Sequence, residues 1–245
     1  MLQGTTPPWL RWMFSRIARR YDLTNTVISA GLDHYWRWRL ARRVAHYPAH
    51  TMLDVACGTG GVMLQVGRCS ANTTCIIGAD FSEAMLRVGQ ARLVREGLSH
   101  RLHLCVADAL CLPYANDSFD VVTMMFGVRN FANARAGLAE CYRVLRAGGW
   151  LCLVEFAWPY HPLLRVLYSG YFRYMLPLIA WPLSGERTAY RYLRDSVLAF
   201  RQQPSLLELL RQVGFTDVQT EPLSGGITAL YEGRKASPGE GKRPK

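Results

Sequence analysis

Carboxylates and glycines recur in this chain at the ends of apolar runs, a pattern suited to holding a charged small molecule. Met52-Leu53-Asp54-Val55-Ala56 reads as a buried strand that breaks into Cys57-Gly58-Thr59-Gly60-Gly61, and Val62-Met63-Leu64-Gln65-Val66 then begins a helix. Glycines let a backbone turn sharply or approach a ligand closely, and the amides at the helix start can face that ligand. A second apolar run, Cys75 to Ala79, ends in Asp80, and a third, Leu102 to Ala107, ends in Asp108-Ala109. A fourth, Asp120 to Phe126, contains Met125 and leads into Gly127-Val128-Arg129-Asn130. In an open parallel sheet such strand ends converge on one edge, where ligands bind.

Two ligands compete for the loop. A dinucleotide site wants G-x-G-x-x-G/A after the strand, but the third glycine position holds Met63, and an acidic residue, Asp54, precedes the first glycine. This favours S-adenosyl-L-methionine, whose amino-acid tail offers an ammonium that Asp54 can hold directly or through water. Asp80 is the candidate acceptor for both ribose hydroxyls, and Asp108 for the adenine amino group. The expected cofactor set is Asp54, Gly58, Thr59, Gly60, Asp80, Asp108, Ala109 and Met125. The alternative for Asp80 and Asp108 is that they only cap the helices that follow.

The elements that must position these residues alternate. An N-terminal helical cap runs to about Tyr47, and strands and helices alternate from Thr51. Helices are expected over Gly60 to Arg68, over Ser82 to Glu96 with Ser82 as N-cap, over Ala134 to Leu145 before Ala147-Gly148-Gly149, and over Ser205 to Val213. A fifth strand follows at Trp150 to Phe156. The stretch 158–203 is too long for a plain crossover and too aromatic for a disordered loop, which suggests a substrate cover. Thr216 to Leu223 and Ile227 to Gly233, separated by Ser224-Gly225-Gly226, read as an antiparallel edge hairpin. The expected fold is α/β, a Rossmann-like, seven-stranded, mostly parallel sheet in one domain over 1–235, with a disordered tail at 236–245.

At 245 residues, 50% hydrophobic and 19% charged, the chain suits one large core. Its seven cysteines include no C-x-x-C pair, so neither zinc nor a disulfide framework is suggested, and a reducing cytoplasm fits best. Cys57 reads as packing, since a catalytic thiol needs a partner that lowers its pKa. The net charge of +11 is concentrated early, in Arg11, Arg16, Arg19, Arg20, Arg37, Arg39, Arg42 and Arg43 against Asp22 and Asp33. Leu10, Met13, Phe14, Ile17 and Tyr21 fall at helical spacing opposite Arg16, Arg19 and Arg20, the pattern of an amphipathic helix. An anionic membrane surface, nucleic acid or solubility alone would each explain that basic face. Arg165, Arg173, Pro177 and Pro182 interrupt the apolar stretch from Leu163 to Leu183, which makes it a poor transmembrane span.

Beyond the cofactor loop, Phe14-Ser15-Arg16-Ile17-Ala18-Arg19-Arg20-Tyr21-Asp22-Leu23-Thr24-Asn25, continued by Ser29, Gly31 and Trp36, resembles the N-terminal motif of the ubiquinone/menaquinone-biosynthesis C-methyltransferases, the UbiE/MenG family. Phe126-Gly127-Val128-Arg129-Asn130-Phe131 resembles that family's F-G-x-R-N segment, and Glu155-Phe156, Tyr190-Arg191-Tyr192-Leu193 and Ser224-Gly225-Gly226 fall where it has similar pieces. The sheet finished by a hairpin is likewise similar to class I methyltransferases. Two positions depart: Gly61 replaces an acidic residue often seen after G-T-G, and Asp33 stands where a basic residue or His is common. The first is expected to change contacts near the cofactor's methionine end, the second only the surface of the cap.

The resemblance implies an enzyme that transfers a methyl group from S-adenosyl-L-methionine to a ring carbon of a polyprenyl quinol, with demethylmenaquinol favoured over a ubiquinone-type precursor. An electron-poor quinone would not attack a methyl cation equivalent, whereas a quinol losing its hydroxyl proton can. Arg129, Asn130 and Tyr21 are the expected catalytic residues. Arginine is a poor base with a pKa above about 12, but its fixed charge can stabilise a phenolate. Asn130 and Tyr21 would hold ring oxygens, and Asp22 is either a base or a cap for the turn at Asn25. The expected setting is the cytoplasm, on the inner face of the membrane, with no nucleic acid partner, and an oligomer is compatible with the sequence. The rivals are a nucleic-acid methyltransferase, disfavoured because Met125-Phe126-Gly127-Val128 replaces an Asn/Asp-Pro-Pro-aromatic motif, and a non-catalytic cofactor-binding protein.

Overall fold

The computed structural model describes residues 6–69, 74–176, 178–179, 185–200 and 205–237. Its centre is a seven-stranded sheet of β1 (Thr51–Val55), β2 (Cys75–Asp80), β3 (Leu102–Val106), β4 (Phe119–Met125), β5 (Leu145–Phe156), β6 (Phe215–Leu223) and β7 (Thr228–Lys235), in the order β3-β2-β1-β4-β5-β7-β6. β1 pairs in parallel with β2 and β4, and β7 runs antiparallel to both β5 and β6. Central strands are covered on both faces, so their apolar runs are continuous rather than alternating, and Leu151, Cys152, Leu153 and Val154 of β5 are all fully buried.

Helices α4 (Gly61–Cys69), α5 (Glu83–Arg95) and α6 (Ala134–Val144) link the strands. α6 starts under an Asn133 cap on the Ala136 amide and stops at Val144, one residue before the expected end, because Leu145 already takes the extended backbone of β5. Ser82 sits at the start of α5 as expected, but its hydroxyl makes no cap bond and is buried without a partner. The Ser82 amide donates to Asp80 at 2.8 Å, which ties the helix start to the end of β2.

The cap comprises α1 (Pro8–Ile17), α2 (Tyr21–Ile28) and α3 (Leu32–Val44). The stripe Leu10, Met13 and Ile17 is buried as its spacing dictates, packing with Tyr168, Phe172 and Leu176 from the stretch after β5. That stretch forms α7 (Pro162–Gly170), which widens into a π-helical turn over Tyr171–Met175, and then α8 (Arg187–Phe200). α9 (Leu206–Val213) leads into β6. The tail expected at 236–245 lies mostly outside the described residues, as do parts of 158–203. Among the described residues no helix is long and apolar enough to cross a membrane.

Candidate active site at the carboxyl edge of the sheet

A cavity of about 360 Å³ opens where β1 and β4 end. Its floor is the strand ends and the glycine loop: Asp54, Gly58, Thr59, Gly61, Met125 and Phe126. The cap contributes Tyr21, Ile28, Asp33, Trp36 and Arg37, and α7 with its π turn roofs it with Leu164, Leu167, Tyr168, Tyr171 and Phe172. Ala56 and Phe126, at the ends of β1 and β4, both hold positive φ (54° and 59°), a region that non-glycine residues rarely adopt and that is often met at functional sites.

Asp54 is the most telling group. It is 1% exposed; Oδ1 accepts from the Thr123 hydroxyl at 2.8 Å, while Oδ2 is buried with no partner. Burial pushes its pKa up to about 7, against the Thr123 hydrogen bond and the nearby Met63 amide that lower it. A buried carboxylate oxygen without a donor, at the foot of a loop whose Gly58 adopts φ +55°, fits an ammonium and a closely approaching ligand. The residues present therefore suit S-adenosyl-L-methionine: Asp54 would hold the amino group, and the Gly58 to Gly61 backbone would border the tail. Gly60 turns the loop, with φ +77° and its amide on the Cys57 carbonyl at 2.9 Å. Burial holds the Cys57 thiol well above its ordinary pKa, in keeping with packing.

The remaining expected cofactor residues lie outside the cavity. Asp80 accepts the amides of Ser82 and of Gly58, the latter at 2.9 Å, and burial raises its pKa to about 6. Asp108 accepts from its own loop at Leu110 and also from the N-terminal segment, through the Thr6 amide at 2.8 Å and Arg11 at 3.4 Å. Phe81 is flanked by Phe14 and by the Arg11 guanidinium. The N-terminal segment thus reaches Asp108 directly and sets Arg11 near Asp80, which the sequence alone did not indicate.

Arg129 sits in a short 3-10 turn, Val128–Asn130, and lines the cavity. It donates to the Phe126 carbonyl at 2.6 Å and to Glu155 at 3.0 Å, lies over the Phe126 and Phe156 rings, and its Nε is buried without a partner. Asn130 does not line the cavity. Its amide nitrogen donates to the Phe126 carbonyl at 3.1 Å and its oxygen accepts from Tyr192 at 2.8 Å, so the expected grip on a ring oxygen is not available in this arrangement. Tyr21 does line it, hydrogen-bonded to the Asn25 side chain, and burial raises its pKa, which keeps it a phenol and a donor. Asp22 neither caps the turn at Asn25 nor stands free as a base. Its carboxylate accepts from the Thr59 hydroxyl at 2.9 Å and from Arg92 at 2.7 Å, latching the cap to the loop. Trp36 makes a similar tie, donating to Ser224 in the hairpin turn at 2.9 Å.

Two further features were missed or misread in the sequence. The Tyr168 hydroxyl, in the roof, is buried without a partner, and only the aromatic character of the stretch hinted at it. Asp33, expected to matter only to the cap surface, is 3% exposed, lines the cavity and pairs with Arg37 at 2.8 Å.

Sheet order, antiparallel last strand and a glycine-rich loop after β1 define a class I S-adenosylmethionine-dependent methyltransferase, and the solved structures agree on the fold. A SAM-dependent methyltransferase from Thermotoga maritima superposes with a TM-score of 0.62 at 18% identity, over 91% of this chain and 98% of that one. Residues 7–235 match the ubiE/COQ5 methyltransferase family, and the chain belongs to it. It is 38% identical over 223 residues to the ubiquinone/menaquinone biosynthesis C-methyltransferase UbiE of Geotalea daltonii, covering 91% of this chain and 94% of that protein. It is 40% identical over 223 residues to the demethylmenaquinone methyltransferase of Clavibacter sepedonicus, covering 91% and 89%.

Proposed function

We propose that this enzyme methylates a ring carbon of a polyprenyl quinol, converting demethylmenaquinol to menaquinol, in the biosynthesis of a respiratory quinone. The observation that carries this reading is the cavity's two-sided chemistry: Asp54, Tyr21 and Arg129 at the sheet edge face a roof of Leu164, Leu167, Tyr168 and Phe172. Leu167 lines the cavity and is also 61% exposed, so the roof opens beside the exposed apolar side chains Leu163 and Val166. An isoprenoid tail needs such an exit, and a water-soluble nucleic acid base does not.

Bound S-adenosyl-L-methionine supplies an electrophilic methyl group on a sulfonium sulfur. The chain's own residues bind, orient and exclude water. Arg129 stabilises the phenolate oxygen as the quinol's hydroxyl proton passes to a water that the guanidinium orients, a role for a fixed cation in a buried site. Tyr21 donates to the same or the opposite ring oxygen, and the Tyr168 hydroxyl takes the role expected of Asn130. Asn130 acts at one remove, as a positioning residue that fixes the turn carrying Arg129. The cofactor is water-soluble and the acceptor lipidic, so the enzyme works at the cytoplasmic face of the membrane. Arg11 and Arg16 are engaged by Asp108 and Glu186, which shifts the weight of membrane contact from the basic face to the apolar outer side of α7.

The test is to incubate the protein with labelled S-adenosyl-L-methionine and, separately, reduced demethylmenaquinone, a reduced demethoxyubiquinone-type precursor and RNA. Methyl gain by the first is expected; gain by the second alone reassigns the quinone, and gain by RNA alone overturns the reading.

A further inference from the structure

The arginines lining the cavity are Arg37 and Arg129, and they occupy different settings. Arg129 lies over two phenyl rings and is paired with Glu155, which is fully buried. Arg37 lies across the glycine loop instead. A Cβ added at Gly61 would stand 2.9 Å from Arg37 Nε and 3.4 Å from Cζ, so the guanidinium occupies room that only a glycine leaves. Gly61 is also the first residue of α4, whose opening amides carry the positive end of the helix dipole.

The guanidinium is held there. Arg37 Nη2 pairs with Asp33 at 2.8 Å, and Asp33 accepts from the hydroxyls of Ser29 at 3.1 Å and Thr26 at 3.2 Å. Only 15% of the arginine side chain and 4% of the aspartate side chain are exposed. A pair buried this deeply costs desolvation that attraction alone often fails to return, so its position in a cavity wall calls for a further partner. One ion pair leaves most of a planar fork of five donors for such a partner. The same loop has the unpartnered carboxylate oxygen of Asp54 at its foot. A cationic fork and a carboxylate with one unpartnered oxygen, flanking one glycine loop, are the two complements of an α-amino acid.

We propose that Arg37 is the clamp for the carboxylate of the cofactor's amino-acid tail, with Asp33 as its positioning residue and Gly61 as the space that admits it. This rests on S-adenosyl-L-methionine binding at the glycine loop. A carboxylate on a guanidinium fork is a charge-assisted contact, so its loss weakens binding by about tenfold to a hundredfold.

Calorimetric titration with S-adenosyl-L-methionine and with its decarboxylated analogue, which keeps the sulfonium, adenosine and amine, separates the possibilities. The native protein should prefer the intact cofactor by about tenfold or more. The double variant Asp33→Asn/Arg37→Gln, which strands neither charge, should lose that preference while binding the decarboxylated analogue as the native protein does. Gly61→Ala, whose methyl group displaces the guanidinium, should lose part of it. Unchanged preference in the double variant, or an equal loss for both ligands, overturns the clamp and leaves the cofactor reading standing. Failure of the native protein to bind either ligand overturns the cofactor reading and the clamp together.

Discussion

The Asp54 carboxylate gives the cofactor site a pH dependence that can be worked out in advance. Its pKa is pushed up to about 7, chiefly by burial, from an ordinary 3.8. Only the ionised form can pair with an ammonium. At pH 5, two units below that pKa, about one molecule in a hundred carries the charge, so affinity for S-adenosyl-L-methionine should be about a hundredfold weaker than at pH 8, a difference of about 3 kcal/mol. Log Kd should fall with a slope near −1 as pH rises toward 7 and then flatten, with about one proton released per cofactor bound below pH 7. Titrations in buffers of different ionisation heat measure both. Asp54→Asn keeps an oxygen for the Thr123 hydroxyl and should bind at pH 8 about as weakly as the native protein does at pH 5. Any inflection left in that variant should sit near 6 and belong to Asp80. The same shift has a stability consequence of opposite sign. A folded pKa above the unfolded one means that Asp54 contributes stability at low pH that is lost as pH rises from about 4 to about 7. Above that, the empty native protein carries a penalty on the order of 4 kcal/mol, which Asp54→Asn relieves. The variant should therefore melt higher at pH 8 while binding cofactor worse. A flat affinity profile from pH 5 to 8, or undiminished binding in Asp54→Asn, would refute the assignment of this carboxylate to the ammonium.

Asp80→Ala should weaken S-adenosyl-L-methionine binding by about tenfold to a hundredfold in a folded protein, and unchanged calorimetric affinity would remove Asp80 from the cofactor site. Arg129→Gln should lower turnover by about two orders of magnitude with cofactor affinity nearly intact. Because it strands the buried Glu155, it should also cost about 3 to 5 kcal/mol of stability, which Arg129→Gln/Glu155→Gln should largely recover without recovering turnover. Tyr168→Phe removes a hydroxyl that has no partner in the fold, so melting should be unchanged or slightly raised while kcat falls; normal kcat on the quinol would take Tyr168 out of the mechanism. Replacing the exposed Leu163, Val166 and Leu167 with serine should abolish co-sedimentation with anionic vesicles, whereas glutamine at Arg11, Arg16, Arg19 and Arg20 should reduce it by less. The reverse order would return the membrane contact to the basic face.

The parts of this molecule that were legible in the sequence are those with a local signature. Strand ends carrying Asp54 and Asp80, the glycine loop and the late hairpin each follow from neighbours a few residues away, because strand burial and turn chemistry are short-range. The stripe of α1 was equally readable, since helical spacing reports which face is buried. Spacing does not report what covers that face. Asp108 reads as a ligand for adenine, and its carboxylate also accepts from Thr6 and Arg11; Asn130 reads as a free amide, and Tyr192 bonds it; Ser82 stands at the N-cap as expected, yet its hydroxyl is idle and its amide donates to Asp80. In each case the residue type was informative and the partner, distant along the chain or two residues back, decided the role.

Gly61 and Asp33 carry that point furthest. Taken singly, one is a carboxylate missing from the loop and the other a carboxylate out of place on a helix. In the fold they meet at Arg37: the missing side chain leaves the guanidinium its room, and the displaced carboxylate holds it there at 2.8 Å. Restoring an acid at position 61 alone would drive a second carboxylate into that contact, beside the first. The two departures are therefore coupled through one arginine, and Gly61→Asp should be tolerated far better together with Asp33→Asn than alone, with the decarboxylated analogue again distinguishing a displaced clamp from a disturbed loop.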